Sequence, residues 1–416
     1  MKRLGAPEAV VVSKPGHPIL RRDIDPNALK ILFRLYQHGF TAYLTGGAVR
    51  DLLLGKPAKD FDIVTDARPG QIKKRFANAY IIGRRFRLAH VHFSGGKIIE
   101  VSTFRRAAER AEEQSSEGES IPANPYGTPG EDAFRRDITI NALYYDVFTD
   151  TVIDYVGGLA DLAGRIVRVI GDPAERFIED PVRIWRVLRH SARLGFTIDE
   201  ATEKAIPSHV HLLCSCSGAR LYEEFNKDLA YETRPVIEAL RKYGILGRIL
   251  GKAGEDYENH AGLFSRLNSL LEIEDRARTA GHQLSLEEMY ALIFWPWLEP
   301  LLAESQVDLH KTLSDAFSNA GMRMSLPRSL RANISQILVI VRAMDRALRT
   351  GRMRWSLLRR SHYQQASRLF FLIFKERPAA KEESFTKLLE QAFPSGLKSW
   401  KRRSRRPRGR FSRNFS

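Results

Sequence analysis

Leu44-Thr45-Gly46-Gly47-Ala48-Val49-Arg50-Asp51, followed by Lys59-Asp60-Phe61-Asp62, is the stretch on which the reading of this chain turns. Thr41-Ala42-Tyr43-Leu44 is apolar and partly β-favouring, so it predicts a short strand that stops at two glycines. Ala48 to Leu54 has helical composition and ends at Gly55, with Pro57 beyond. Gly46 and Gly47 thus fall where a strand becomes a helix. Without a Cβ, the turn lets backbone N–H groups approach phosphate oxygens, and the helix N-terminus adds partial positive charge. Arg50, in the first helical turn, adds a cation suited to bidentate contact. Asp60-Phe61-Asp62-Ile63-Val64 alternates polar and apolar residues, so a strand here puts Asp60 and Asp62 on one face and Phe61 on the other. Two carboxylates so placed repel each other unless a cation lies between them. Mg²⁺ bridging them to a nucleoside triphosphate answers that need, and a two-metal arrangement activates a hydroxyl and stabilises leaving pyrophosphate. Two glycines before a helix are commonly a plain turn, and spaced acids commonly serve solubility; their order and spacing together carry the reading.

Composition narrows the class of partner. The 416 residues suffice for two or three domains with real cores, and 43% hydrophobic content excludes global disorder. A formal charge of +17 favours a polyanionic partner, nucleic acid or an anionic membrane surface. No apolar run is long enough to span a bilayer, and the start Met1-Lys2-Arg3 lacks the apolar core of a signal peptide. A soluble, cytoplasmic protein is the expectation. Cys214 and Cys216 are too few for a disulfide framework or a four-ligand zinc site, so they read as reduced thiols in a helical connection.

From about Asn27 to Tyr155 helix and strand patterns mix: an amphipathic helix over Ala28 to Tyr36, then strand-like runs at Ala79 to Ile82, Ala89 to Phe93 and Ile98 to Thr103. Ala107 to Gly130 is polar, without apolar periodicity, and reads as a mobile loop. Beyond Leu159 helical periodicity takes over, as in Val182 to Leu194 and Ile334 to Leu348. The expected organisation is an N-terminal extension (1–26), an α/β head (27–158), a helical neck (159–228), a helical body (229–395) and a basic tail (396–416). The tail carries Lys401, Arg402, Arg403, Arg405 and Arg406 with no acid, and reads as disordered and phosphate-binding. Arg352 and Arg354, beside Met353 and Trp355, form a second basic stretch suited to phosphates and base stacking, or to a solvated helix face.

Three further constellations bear on chemistry. Arg135-Arg136-Asp137 with Asn141 offers guanidinium groups for triphosphate oxygens and a carboxylate to orient one of them or to assist the metal site; a structural ion pair is the competing explanation. Glu100 lies in the strand-like Lys97 to Val101 and becomes a third carboxylate if that strand lies beside Asp60 and Asp62. Glu179-Asp180-Pro181-Val182-Arg183 opens or kinks a helix, with Asp180 suited to the N-cap and Pro181 to the first turn. Asp180, Arg183 and Arg186 then share one helix face, a donor–acceptor edge for a base or a cap with an intrahelical salt bridge.

Together these residues resemble the class II tRNA nucleotidyltransferase and bacterial poly(A) polymerase family, within the polymerase-beta-like nucleotidyltransferases. The matching stretches are Leu44 to Asp51, Lys59 to Asp62, Arg135-Arg136-Asp137-Ile138-Thr139-Ile140-Asn141-Ala142 and Glu179 to Arg183, in family order over roughly residues 27 to 225. The resemblance implies an α+β nucleotidyltransferase head followed by an all-helical neck and body. It implies that Asp60 and Asp62 bind catalytic Mg²⁺, that Arg135 to Asp137 complete the site, and that Asp180, Arg183 and Arg186 receive the incoming nucleotide. Gly83-Arg84-Arg85-Phe86-Arg87-Leu88-Ala89-His90-Val91, His17-Pro18-Ile19 and the arginine-rich end are similar to the poly(A) polymerase branch, and so is Ala219 to Glu224, although Tyr222 stands where phenylalanine is usual. The implied activity is template-independent addition of AMP from ATP to RNA 3′ ends. CCA or A addition to tRNA is the nearest alternative, and RNA binding on an inactive scaffold the third.

Overall fold

The computed structural model describes residues 8–83, 87–106, 126–304, 308–350 and 355–375. The chain divides into two compact units, Met1–Leu212 and Leu213–Ser416. The basic tail, Arg352, Arg354 and most of the expected mobile loop lie outside the described residues.

The first unit is built on one eight-stranded sheet. Its elements run β1 (Val10–Ser13), α1 (Pro26–Gln37), β2 (Ala42–Thr45), α2 (Gly47–Leu53), β3 (Asp62–Thr65), α3 (Pro69–Arg75), β4 (Ala79–Ile82), β5 (Leu88–His92) and β6 (Ile98–Thr103). They continue through α4 (Pro129–Arg135), β7 (Leu143–Asp146), β8 (Thr151–Asp154), α5 (Gly158–Gly164), β9 (Ile166–Val167), α6 (Pro173–Glu179), α7 (Val182–Leu194), β10 (Thr197–Ile198) and α8 (Glu200–His209). The sheet order is β1-β8-β7-β2-β3-β6-β5-β4. Neighbours are antiparallel except β3 and β6, which run parallel with Ile63 opposite Val101. That one parallel pairing requires the α3-β4-β5 excursion between them, and it sets Glu100 alongside Asp62.

Three differences from the sequence reading have local causes. Val10–Ser13, read as extension, pairs with β8 as an edge strand. β7 and β8 escape a periodicity test because Leu143, Tyr144, Tyr145 and Val152 are buried in succession or nearly so, the mark of a strand covered on both faces. The loop read as ending at Gly130 gives way to helix at Pro129, because Thr128 and Glu131 form a reciprocal capping box with proline in the first turn.

The Gly157-Gly158 turn is a tight joint. Asp154 Oδ1 accepts from the N–H groups of Val156, Gly157 and Gly158, each at 3.0 Å, and Oδ2 from Leu159 at 2.9 Å. A Cβ on Gly158 would stand 2.4 Å from the Thr139 carbonyl oxygen. Thr139 in turn donates to Asp161 at 2.6 Å, and Arg168 joins Asp161 to Asp199. The short parallel pair β9–β10 is pinned by these contacts rather than by its own length.

Among the described residues the second unit is helical: α9 (Gly218–Leu229), α10 (Arg234–Lys242), α11 (Ile245–Leu250), α12 (Lys252–Asn259), α13 (Ala261–Thr279), α14 (Leu286–Glu304), α15 (Leu309–Asn319), α16 (Arg328–Thr350) and α17 (Tyr363–Lys375). α14 carries Tyr290, Phe294 and Trp295 into the core, and Glu288, fully buried, accepts two bonds from Arg368 at 2.8 and 2.9 Å. Cys214 and Cys216 are free thiols. No helix among the described residues is long and apolar enough to cross a membrane. What the expected neck and body do as separate parts belongs to the proposals below.

Gly158→Ala is expected to lower unfolding free energy by about 1–3 kcal/mol through overpacking against the Thr139 carbonyl, whereas Gly55→Ala, which meets nothing within 4 Å, acts only through its positive φ. Urea unfolding of the two variants checks the contrast.

Candidate active site

β2 delivers the chain to Gly46, whose φ of 72° and ψ of −144° no L-residue adopts without strain. A Cβ built there would lie 3.6 Å from Asp62 Oδ2 and 3.9 Å from Arg136 Nη1, so the glycine sits between the acid and the base. The hydrogen-bonded strand begins at Asp62 rather than Asp60, yet the alternation holds across both: Asp60 and Asp62 are exposed while Phe61 and Ile63 are buried. Among the described residues no hydrogen bond reaches either carboxylate. Partial desolvation, followed by Glu100 and Asp60, pushes Asp62 up to about 6, and Arg136 pulls the other way.

Glu100 is beside Asp62, as its strand position required, but its Oε2 leans toward His90 Nε2 at 3.8 Å. Among the described residues no three histidine, cysteine or acidic side chains converge as a metal cluster. Two oxygen donors with no protein partner still fit Mg²⁺, which characteristically takes one or two carboxylates and fills its remaining positions with phosphate and water.

The arginines divide by partner. Arg136 is held by Asp132, Nε to Oδ2 at 3.1 Å and Nη2 to Oδ2 at 3.0 Å, and its Cζ lies 5.2 Å over the Tyr144 ring. The Tyr144 hydroxyl donates to the same Asp132 oxygen at 2.9 Å. Arg135 meets Asp132 at 3.4 Å. Burial lowers the Arg135 pKa, whereas for Arg136 Tyr144 and Asp132 outweigh burial and raise it.

Arg50 is only 9% exposed and all three of its nitrogens are engaged: Nε and Nη2 with Asp51 at 2.8 and 2.7 Å, Nη1 with Asn141 Oδ1 at 2.7 Å. Asn141 Nδ2 approaches His190 Nε2 at 3.2 Å, and Arg50 Nη1 lies 3.4 Å from His190 Nδ1. Both neighbours are donors, and a neutral imidazole accepts only once, so only one of these contacts is a full hydrogen bond. Burial and Arg50 hold the His190 pKa well below the usual imidazole range, so the ring is neutral at pH 7.

The second motif is equally networked. Asp180 is the C-cap of α6 and its carboxylate accepts from the Val182 N–H at 3.2 Å; the N-cap of α7 is Pro181 rather than Asp180, one residue later than expected, because α6 runs up to Glu179. Arg183 donates to Glu179 Oε2 at 2.6 Å and to the Arg176 carbonyl at 3.0 Å. Arg176 spans from Glu179 to the carbonyls of Arg135 and Arg136, both at 2.8 Å. Arg186 Nε donates to Asp137 Oδ2 at 2.6 Å. Burial opposes the Asp137 charge, but Arg186, by charge and by hydrogen bond, outweighs it and holds the carboxyl down to about 2. The sequence reading had not found Asp132, Tyr144, Arg176 or His190. His190 continues the Arg183–Arg186 face by one further turn, and Asp132 stands three and four residues before Arg135 and Arg136, signals that were present; Tyr144 is near the site only through the fold.

Residues 42–168 match the poly A polymerase head domain family, and residues 195–253 match a family described as "Probable RNA and SrmB- binding site of polymerase A". The Poly(A) polymerase I of Escherichia coli O6:H1 is 37% identical over 386 residues, covering 88% of this chain and 82% of that one. The chain belongs to the bacterial family of poly(A) polymerases and CCA-adding enzymes. It is a nucleotidyltransferase. The CCA-adding enzyme of Lactobacillus helveticus is 38% identical over 205 residues, 49% of this chain and 50% of that one. A crystal structure of a tRNA nucleotidyltransferase complexed with a primer tRNA and an incoming ATP analog superposes with a TM-score of 0.61 at 25% identity, covering 89% of this chain and 99% of that one.

The Asp137–Arg186 pair gives a pH test. A carboxyl held near 2 in the folded state, against about 3.9 unfolded, contributes stability that is fully present above about pH 4–5 and is lost as pH falls through 2. Asp137→Asn is expected to cost about 2 kcal/mol at pH 7, and its gap from the parent to shrink on acidification; urea unfolding at pH 7, 4 and 3 measures it.

Proposed function

We propose that this enzyme adds AMP residues from ATP to RNA 3′ ends without a template, releasing pyrophosphate. The observation that carries the reading is the breadth of the match: identity to Poly(A) polymerase I extends over 88% of the chain, whereas the CCA-adding relative covers 49%. The head motifs alone do not separate the two products, so CCA or A addition to tRNA stands as the second reading.

The chain's own residues divide the work as follows. Asp60 and Asp62 supply the oxygens that hold Mg²⁺, with Glu100 within reach once it leaves His90. When bound, Mg²⁺ lowers the pKa of the primer 3′-hydroxyl and neutralises the triphosphate. Gly46 and Gly47 bring backbone close to the phosphates, and Arg136 sets a fixed positive charge beside them; Arg135 adds a second at the rim. Arg50 and Asn141 lock the helix α2 side of the site through His190, so their contribution to the triphosphate is by positioning or by exchange of one existing partner. Asp137 fixes Arg186, and Asp180 with Arg183 offers an acceptor and a donor to the incoming base. Phosphoryl transfer of this kind needs alignment and charge neutralisation rather than a covalent intermediate.

Segments 159–228 and 229–395 act in this reading as nucleotide-selecting neck and RNA-holding body. Arg352, Arg354 and the tail arginines with Lys401 supply sequence-independent phosphate contacts.

Purified protein given an oligoribonucleotide, Mg²⁺ and each NTP separately is expected to make long ladders from ATP alone; CTP-dependent addition stopping after a few residues would establish tRNA repair instead. Asp60→Asn and Asp62→Asn are each expected to reduce AMP incorporation by about a thousandfold or more while ATP and RNA still bind, as read by equilibrium binding beside turnover. Removing residues 397–416 is expected to weaken RNA affinity and flatten its dependence on salt, and an unchanged slope of log K against log salt would remove the tail from the RNA contact.

A further inference from the structure

The sheet that carries Asp62 has a second, unused property. Along β4, β5 and β6 one face is core: Ala79, Ala89, Val91, Ile99 and Val101 are at most 1% exposed. On the other face Tyr80, Ile82 and Ile98 are 55%, 45% and 47% exposed, with His90 and His92 between them. Large apolar side chains gathered on one open face mark a contact surface.

The register ties that face to the acid pair. Asp62 lies beside Glu100, Glu100 faces His90, and His90 faces Tyr80, one residue on each successive strand. Three strand spacings of about 4.8 Å carry the path roughly 15 Å from the acid pair to Tyr80, the reach of a few nucleotides. Tyr80 and His92 both expose their rings on this face. Tyr80 and His92 meet edge to face with centroids 4.9 Å apart, and Lys73 Nζ lies 5.0 Å over the Tyr80 ring.

We infer that this open face is the cradle for the nucleotides that precede the primer's 3′ end, their bases stacking on Tyr80 and His92 while the terminal hydroxyl reaches Asp60 and Asp62. The inference rests on the reading of the acid pair as the transfer site. RNA suits the face better than a protein partner does. Aromatic and imidazole rings interleaved with a lysine accept any base by its π-face, which is what a primer of varying sequence requires. The continuity with the carboxylates gives the strand a direction, and the chain's charge of +17 draws it in.

The test measures binding and turnover separately on the full-length chain. A fluorescent oligoribonucleotide is titrated without any NTP, and KM is determined for primer and for ATP. Tyr80→Ala is expected to raise both the primer Kd and the primer KM by about tenfold, leaving KM for ATP and the thermal midpoint unchanged. Tyr80→Phe is expected to behave as the parent, since a stack needs the ring and not the hydroxyl. A 4-thiouridine placed three nucleotides from the primer 3′ end is expected to crosslink within residues 79–92. An unchanged primer Kd in Tyr80→Ala overturns the inference, as does equal weakening in Tyr80→Phe. A parent that dimerises through this face, with Tyr80→Ala monomeric and its primer Kd unaltered, assigns the face to a second copy and also overturns it. If the parent binds primer through Tyr80 but incorporates no nucleotide, the failure lies with the transfer reading alone.

Discussion

The parallel pairing of β3 with β6 is the constraint from which the site follows. In a sheet otherwise antiparallel, it brings the first residue of β3, Asp62, level with Glu100, and the following residues of both strands into the core. Burial first, and then the like charges of Glu100 and Asp60, push the Asp62 carboxyl up to about 6. The protein relieves that push only in part. Arg136 stands across Gly46, but it is committed to Asp132 and Tyr144 and makes no hydrogen bond to either catalytic-side carboxylate. A site left with residual negative charge and free oxygen donors is one completed by something cationic from outside the chain.

Around that incomplete centre every other charge is spoken for. Asp132 holds two arginines and a tyrosine, Glu179 holds Arg176 and Arg183, Asp137 holds Arg186, and Asp51 holds Arg50. The pairs on the largely buried Asp132 and Asp137 are costly to break, because removing one member strands the other, whereas Glu179 is more than half exposed. Their value here is orientation. Arg176 reaches back from α6 to the carbonyls of Arg135 and Arg136, so the end of α4 and the α6–α7 junction are fastened by one guanidinium. A triphosphate arriving beside such groups meets dipoles already aimed, with little reorganisation left to perform.

Legibility in the sequence followed the range of the interactions. The strand–glycine–helix unit at Ala42–Leu53, the runs at Ala79–Ile82 and Ile98–Thr103, and helix Val182–Leu194 are set by local composition and were readable to within a residue or so. The acid alternation at Asp60 to Ile63 was readable too, because one buried and one exposed face leave a period of two. β7 and β8 were not, since strands buried on both faces lose that period and look like any apolar run. β1 is an exposed edge whose valines gain their meaning only from β8. Asp132 pairs with Arg135 and Arg136 at helical spacing and His190 extends the Arg183–Arg186 face, so both left a local signal. The role of Tyr144 depends on a contact twelve residues away, and no spacing rule reaches it.

The arrangement also bears on where product choice resides. In the proposed reading Asp60, Asp62 and Arg136 serve phosphates, which every nucleotide carries, so nothing in their geometry distinguishes adenine from cytosine. Discrimination needs donors and acceptors at fixed places, since a polar edge left unpaired is what rejects the wrong base. The α6–α7 junction offers such groups in a clamped state. Arg183 is held by Glu179 and by the Arg176 carbonyl, and the Asp180 carboxylate is turned toward the start of α7. In the proposed reading a base meeting this edge finds the Arg183 guanidinium where Glu179 holds it. Selection of the nucleotide and binding of its phosphates are then separable. On that same reading the first belongs to the α6–α7 pairs and the second to a cation held by the β3–β6 carboxylates, and Glu179 lies with the first group.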